Sequence, residues 1–112
     1  MKRICILFLV LVSLVFGAIS EGEQDVASAG TAEALTASST KCVWVTVQAK
    51  VDNTGNIWLG GSSVEDGSSL ELTPGDSYTF QAINKRKRYD LAEIYVDSAV
   101  NGEGVTFTYW VE

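Results

Sequence analysis

The chain is predicted to be an all-β protein that folds as one small antiparallel β-sandwich of about six to eight short strands. Three observations support this prediction. Apolar and polar residues alternate with a period of two in several runs, most regularly over residues 105–112. Clusters of Gly, Asn, Asp and Pro separate these runs at short intervals. After residue 20, the sequence lacks the apolar spacing of an amphipathic helix.

The first element, residues 1–20, has the layout of a secretory signal peptide. Lys2 and Arg3 precede an apolar run over residues 4–19, and no further charge occurs before Glu21. A short basic end, an apolar centre and small residues at the end are typical of such leaders. The sequence therefore predicts a secreted or extracytoplasmic protein.

Two positions fit the small-residue rule for cleavage of this leader, one after Gly17 and one after Ser20. The alternative is an uncleaved N-terminal anchor. A membrane-spanning helix needs about 20 predominantly apolar residues, and the apolar run is shorter than that. Cleavage is the favoured interpretation.

Residues 21–29 are acidic and then rich in Ala and Ser, which predicts a flexible tether because little in them can be buried. The sandwich is then expected over residues 30–112. Removing Lys2 and Arg3 changes the formal net charge from −6 to −8. Such a surface disfavours nucleic acid as a partner, and disfavours a membrane once the leader is cleaved.

The strands follow in order along the domain. Residues 31–35 could form a weak first strand, and the β-branched alternation over 42–49 predicts a clear one. Turn chemistry is densest at 52–56, 73–76 and 101–104. The remaining predicted strands are 57–59, 70–72, 78–82, 91–96 and 105–111. Jelly-roll and immunoglobulin-like topologies both accommodate this spacing.

Cysteine and histidine usage restricts the chemistry of the chain. Cys5 lies in the leader, so Cys42 is the one cysteine of the predicted domain. A buried, inert thiol is the favoured interpretation of Cys42, and a disulfide between two chains is the alternative.

Histidine is absent, which removes the commonest general base and transition-metal ligand. The sequence predicts a protein that is not an enzyme and has no cofactor.

Acidic and amide side chains in the predicted loops are candidate calcium ligands or catalytic carboxylates. Calcium would need oxygen ligands at a defined spacing, and the pattern here lacks the full calcium-loop motif. Turn formation explains the same residues, so no metal site is predicted. Paired carboxylates for glycoside hydrolysis would also need a cleft and a raised pKa. The calcium candidates are Asp52, Asn53, Asn56, Glu65, Asp66, Asp76 and Asp97, and the carboxylate candidates are Glu93, Asp97 and Glu103.

Two groups of residues are the candidate binding sites. Trp44, Trp58 and Trp110 are predicted to point away from the aliphatic faces of their strands, as a platform for sugar rings or a protein contact. Core or interface packing is the favoured alternative for them.

The basic tetrad of Lys85, Arg86, Lys87 and Arg88 could bind an anionic polymer, but a solvated loop that meets an acidic patch on a neighbouring copy is favoured.

Five sequence blocks from residue 30 onwards resemble, in order and spacing, a small domain found in virion structural proteins of tailed bacteriophages. Each block is common by itself, and their order makes the resemblance moderately specific. The blocks are residues 30–38, 45–49, 53–61, 72–77 and 90–105, which read GTAEALTAS, VTVQA, NTGNIWLGG, LTPGDS and DLAEIYVDSAVNGEGV.

This resemblance implies a β-sandwich that decorates capsids, tails or fibres and has no enzymatic activity. It would act by self-association or by docking to a larger assembly, in a virion if the chain is encoded by a phage. Trp58 and Trp110, with the edge strands, are the expected contacts. The alternative is a secreted module that binds a glycan or a cell-surface polymer through Trp and loop carboxylates.

Overall fold

The structure, a computed structural model, describes residues 18–65, 67, 69–82, 84 and 87–111. Residues 1–17 of the leader predicted over residues 1–20 lie outside this part of the chain, so the signal peptide remains a prediction, and the last three residues of that range begin the first strand. In the described part, no helix has the length and apolar character needed to cross a membrane.

Within these residues the chain forms ten strands and one short 3-10 helix. All strand pairs are antiparallel. The strands are β1 (Ala18–Asp25), β2 (Glu33–Ala34), β3 (Lys41–Cys42), β4 (Trp44–Ala49), β5 (Ile57–Gly60), β6 (Leu70–Leu72), β7 (Ser77–Gln81), β8 (Tyr89–Asp90), β9 (Tyr95–Ser98) and β10 (Gly104–Val111), and the helix is Leu91–Glu93.

Two four-stranded sheets pack face to face. Sheet A has the strand order β1-β10-β4-β7, and sheet B has the order β2-β9-β5-β6. The short strands β3 and β8 form a separate pair. The prediction of an all-β sandwich is confirmed. The described residues contain more strands than expected, because β1 falls in the predicted leader and tether, and β3 and β8 are only two residues long and give no periodic signal. β2 lies within the weak strand predicted over residues 31–35.

The core lies between the inward faces of the two sheets. In β4, Val45, Val47 and Ala49 are fully buried, and the residues between them are half-buried. Ile57 and Leu59 of β5 close the core from sheet B. Burial of apolar surface at about 25 cal/mol per Å² makes this layer the main stabilising term for a domain whose only described cysteine is free.

The predicted tether is wrong for residues 21–25, which form the second half of β1. Glu21 pairs with Thr108, and Asp25 pairs with Gly104. Val26, directly after the strand, is fully buried in the core. Composition missed this strand because its inward positions are small or polar, so backbone pairing with β10 holds it rather than an apolar face.

A second correction concerns residues 91–96, which were predicted as one strand. Leu91–Glu93 is a 3-10 helix, and β9 begins only at Tyr95. The Asp90 side chain accepts a hydrogen bond from the Ala92 amide (3.0 Å) and caps this turn. Asp at the position before a helical turn is a recognised capping signal. The apolar residues within 91–96 predicted a strand, so this capping signal was missed.

Candidate functional site

The outer face of sheet A, which points away from the core, brings two of the predicted tryptophans together. Trp44 of β4 lies directly opposite Trp110 of β10. Ile19 of β1 lies opposite Trp110 on the other side. Ile19 is 62% exposed, and both tryptophans are half-buried. We call Ile19, Trp110 and Trp44, which run side by side across three strands, the Trp row.

The rest of this face is polar. The row next to the Trp row contains Glu21, Thr108, Thr46 and Thr79, and the hydroxyls of Thr46 and Thr79 are hydrogen-bonded at 2.8 Å. Glu23, Thr106, Gln48 and Ser77 form the row after it. The Trp row is therefore an apolar patch bordered by hydroxyls and carboxylates, which is the composition of a contact surface with a polar rim.

Strand alternation explains why these side chains face outwards. Val45 and Phe107 occupy inward positions on the same two strands, so Trp44 and Trp110 must point to the opposite face. A directly opposed aromatic pair contributes about 0.2–1 kcal/mol to strand pairing. Both indoles are half-buried, so part of each remains available to a partner.

The structure contradicts the prediction that Trp58 is an exposed contact. Trp58 is 6% exposed, and its neighbours on the adjacent strands are Glu71 and Asp97. The side chain borders a cleft of about 350 Å³ that Gly30 and Glu65 also line. Two loops thus cover the outer face of sheet B at this point. The sequence could not show this, because Gly30, on one of these loops, is distant from Trp58 in the chain.

The basic tetrad lies in the loop between β7 and β8. Lys85 and Arg86 are outside the described residues, and Lys87 and Arg88 are exposed. The Lys87 amide donates to the Asn84 backbone carbonyl (3.3 Å) and side-chain oxygen (3.2 Å), which forms a turn. Since Trp44 pairs with Gln81 at the end of β7, this loop begins beside the Trp row.

An aromatic group supports the same loop. The ring centroids of Tyr78 and Phe80 are 5.0 Å apart, and those of Phe80 and Tyr89 are 5.5 Å apart, both edge to face. The Tyr89 hydroxyl donates to the Gln81 carbonyl at 3.1 Å. A small cleft of about 220 Å³ is lined by Lys87, Arg88 and Tyr89.

Three of the six calcium candidates that the structure describes hold backbone groups instead. Asn53 donates to the Gly104 carbonyl at 2.9 Å. Asp76 accepts hydrogen bonds from the hydroxyl and amide of Thr73, which hold the pKa of its carboxyl below the ordinary range. Asp97 accepts from the amides of Gly30 and Ser98. Over the described ranges, no three Cys, Asp or Glu side chains are grouped as a metal site; Asp66 is outside them.

The three candidate catalytic carboxylates lie on different elements. Glu93 is in the 3-10 helix, Asp97 is buried in β9, and Glu103 precedes β10. Glu103 accepts from the amides of Gly55 (2.9 Å) and Thr54 (2.7 Å), and these bonds lower the pKa of its carboxyl. A general acid for glycoside hydrolysis needs a raised pKa, so Glu103 is unsuited to that role.

Cys42 is 1% exposed, which confirms the prediction of a buried thiol. Desolvation, and secondarily the charge of Asp90, raise its pKa to about 11. A thiol that stays protonated is a poor nucleophile. The interior position also separates this sulfur from any cysteine of a second copy.

The comparisons with known proteins return no matching family model, no matching curated protein and no matching solved structure. Sequence reasoning missed Ile19 as a contact residue, because it was assigned to the leader. Its position opposite Trp110 becomes visible only once β1 is known to pair with β10.

Proposed function

We propose that this chain is a non-enzymatic structural or display module that self-associates or docks into a larger assembly through the Trp row. One observation carries the proposal: Trp44 and Trp110 stand opposite each other on the solvent face of sheet A, with Ile19 beside them. Trp58, which the sequence suggested as a contact, has no part in this surface.

The physical case concerns the composition of the patch. Tryptophan is enriched at the energetic centres of protein interfaces because one side chain buries about 150–250 Å². Two adjacent indoles and an exposed Ile form a small apolar centre, and the threonine rows provide a polar rim. The resemblance to phage virion domains supports the same class of function.

A glycan-binding module is the second candidate. Adjacent indoles on a flat sheet can stack against sugar rings. The observation that favours this candidate is the same Trp44–Trp110 pair, which replaces the Trp58 site expected from the sequence. The two candidates differ in their partner, so a binding experiment separates them.

The test is sedimentation velocity of the purified chain over a range of concentrations, combined with a glycan array. The proposal expects oligomers that are lost in Trp44→Ser/Trp110→Ser. The matched control is Gln48→Ser/Thr106→Ser, because these residues are also directly opposed on the same face of β4 and β10. A wild-type chain that remains monomeric and binds a glycan through the two tryptophans would overturn self-association in favour of the second candidate.

A further inference from the structure

One end of the sandwich carries exposed positive charge next to the Trp row. We call it the basic end and define it by Lys41, Lys87 and Arg88. Lys41 pairs across strands with Asp90, and its side chain is 65% exposed although its Nζ lies 3.6 Å from the Asp90 carboxylate. Lys87 and Arg88 are both exposed in the loop that follows β7. Ala82 in that loop donates to the Val43 carbonyl, one residue from Trp44.

The opposite end of sheet A is negative. We call it the acidic end and define it by Asp25, Asp52, Asp76 and Glu103. Asp25 is the last residue of β1, and Glu103 directly precedes β10. The Ala49 amide donates to the Asp76 carbonyl, which places Asp76 at the end of β4. Lys50 lies here as well, 2.8 Å from Asp25 and 3.4 Å from Glu23, and these ion pairs neutralise its charge locally.

Exposed apolar side chains accompany the acidic end too. Val51 is 76% exposed and Val100 is 36% exposed. Val51 lies within 4 Å of the position of a Cβ on Gly75, and Val100 lies against Gly55, so both valines belong to the loops of this end. One end of the sandwich therefore presents the Trp row, with Lys87 and Arg88 on its loop side and Glu21 on its sheet side. The other end presents two exposed valines among carboxylates.

We propose that the Trp row and basic end of one copy bind the acidic end of a second copy. This inference rests on the proposed function and names its partner. Ile19, Trp44 and Trp110 would contact Val51 and Val100, while Lys87 and Arg88 would face Asp52 and Asp76. The two contacting surfaces are different, so the contact is head-to-tail and gives filaments, or rings if the rotation closes.

Two properties follow from such a contact. Exposed charge pairs are screened over about 8 Å at physiological ionic strength, so salt weakens the association. We expect an increase from about 50 mM to about 500 mM NaCl to weaken it by about tenfold or more, mainly through slower association. A contact made by the Trp row alone, between two identical faces, would depend little on salt because its apolar burial is not screened.

The decisive experiment uses two complementary charge reversals in the full chain. The first variant reverses the basic tetrad as Lys85→Glu/Arg86→Glu/Lys87→Glu/Arg88→Glu. The second carries Asp52→Lys at the acidic end together with Glu23→Lys on β1 beside it. Glu23 also pairs with Lys50, and Asp25 remains to pair with that lysine in the variant. Each variant alone should sediment as a monomer, since its two ends no longer attract each other. An equimolar mixture should form complexes, because the introduced glutamates of the first variant meet the introduced lysines of the second.

The outcomes separate this inference from the proposed function. Oligomers that persist in both single variants and at high salt, yet disappear in Trp44→Ser/Trp110→Ser, would overturn the head-to-tail contact and leave the proposed function intact. A wild-type chain that stays monomeric at all salt concentrations would overturn this inference and leave docking to a different partner as the remaining form of the proposed function. Binding of monomers to phosphatidylglycerol vesicles through the basic end, without self-association, would also overturn the inference. The salt titration of the wild type decides the question even if a variant folds poorly.

Discussion

Gly22 of β1 lies directly opposite Phe107 of β10, and the aromatic ring fills the space that a side chain at position 22 would need. A Cβ at this position would be 2.7 Å from the Phe107 Cζ atom. Phe107 is 4% exposed and belongs to the core. A glycine at this point thus allows the first strand to close over a large core residue.

The first prediction is that Gly22→Val destabilises the fold. The ring of Phe107 must move or leave its preferred rotamer, and overpacking of this kind costs about 1–3 kcal/mol. Chemical denaturation followed by circular dichroism measures the change. Gly61→Ala is the control, since no atom lies within 4 Å of a Cβ there. Adding Phe107→Leu should restore part of the loss, and equal stability of the two glycine variants would contradict the packing account.

The second prediction compares chains that begin at Ala18 and at Glu21, the residues that follow the two candidate cleavage sites. A chain that begins at Glu21 loses the pairing of Ala18 with Val111, Ile19 with Trp110 and Ser20 with Tyr109. Net hydrogen-bond contributions of about 1 kcal/mol each predict a loss of about 1–3 kcal/mol. Thermal unfolding of both chains tests this prediction. Equal midpoints would show that this part of β1 contributes no stability.

The third prediction concerns acid stability. Hydrogen bonds from Ser39, Thr40 and Ala92, and secondarily the charge of Lys41, lower the pKa of Asp90 from 3.8 to about 2. Because this pKa is lowered in the folded state, its contribution to stability is complete above about pH 4. It is lost as the pH falls from about 4 to about 2. The free energy of unfolding of Asp90→Asn should therefore be lower at neutral pH and vary less across this window, and parallel pH profiles for both proteins would contradict the assignment.

The fourth prediction is that the thiol of Cys42 does not react in the folded protein. Burial raises its pKa to about 11, so near neutral pH it is both inaccessible and protonated. In a chain that begins at Ala18 and so lacks Cys5, titration with a thiol-specific chromophoric reagent at pH 8 should show no fast reaction until denaturant is added. The same raised pKa predicts that stability falls between about pH 9 and 11, where the unfolded chain releases the proton first. Cys42→Ala should lack that component of the fall.

The sequence predicted the strands that have one apolar face, and it missed the strand that is held mainly by backbone pairing. Val45 and Val47 alternate with polar residues, and the resulting strand was predicted because one face is buried. The strand over 18–25 has no apolar face, since Gly22 and Gln24 occupy its inward positions. Its partner strand is about 80 residues away in the chain, so no local pattern reveals it.

The candidate site was predictable only in part, for the same reason. The outward direction of Trp44 and Trp110 follows from strand alternation, and the structure confirms it. Their direct opposition requires the register of β4 and β10, which single-sequence periodicity does not give. Trp58 failed as a candidate because burial on the outer side of a sheet depends on loops, here those carrying Gly30 and Glu65.

The most direct measurement is the solvent accessibility of the two indoles of the Trp row as the protein concentrates. In a Trp58→Phe background, acrylamide quenching of fluorescence reports Trp44 and Trp110 alone, and sedimentation of the same samples gives the oligomeric state. The proposed function predicts that quenching falls as oligomers form, because the partner covers both side chains. Oligomers whose indoles are quenched as strongly as those of the monomer would contradict it.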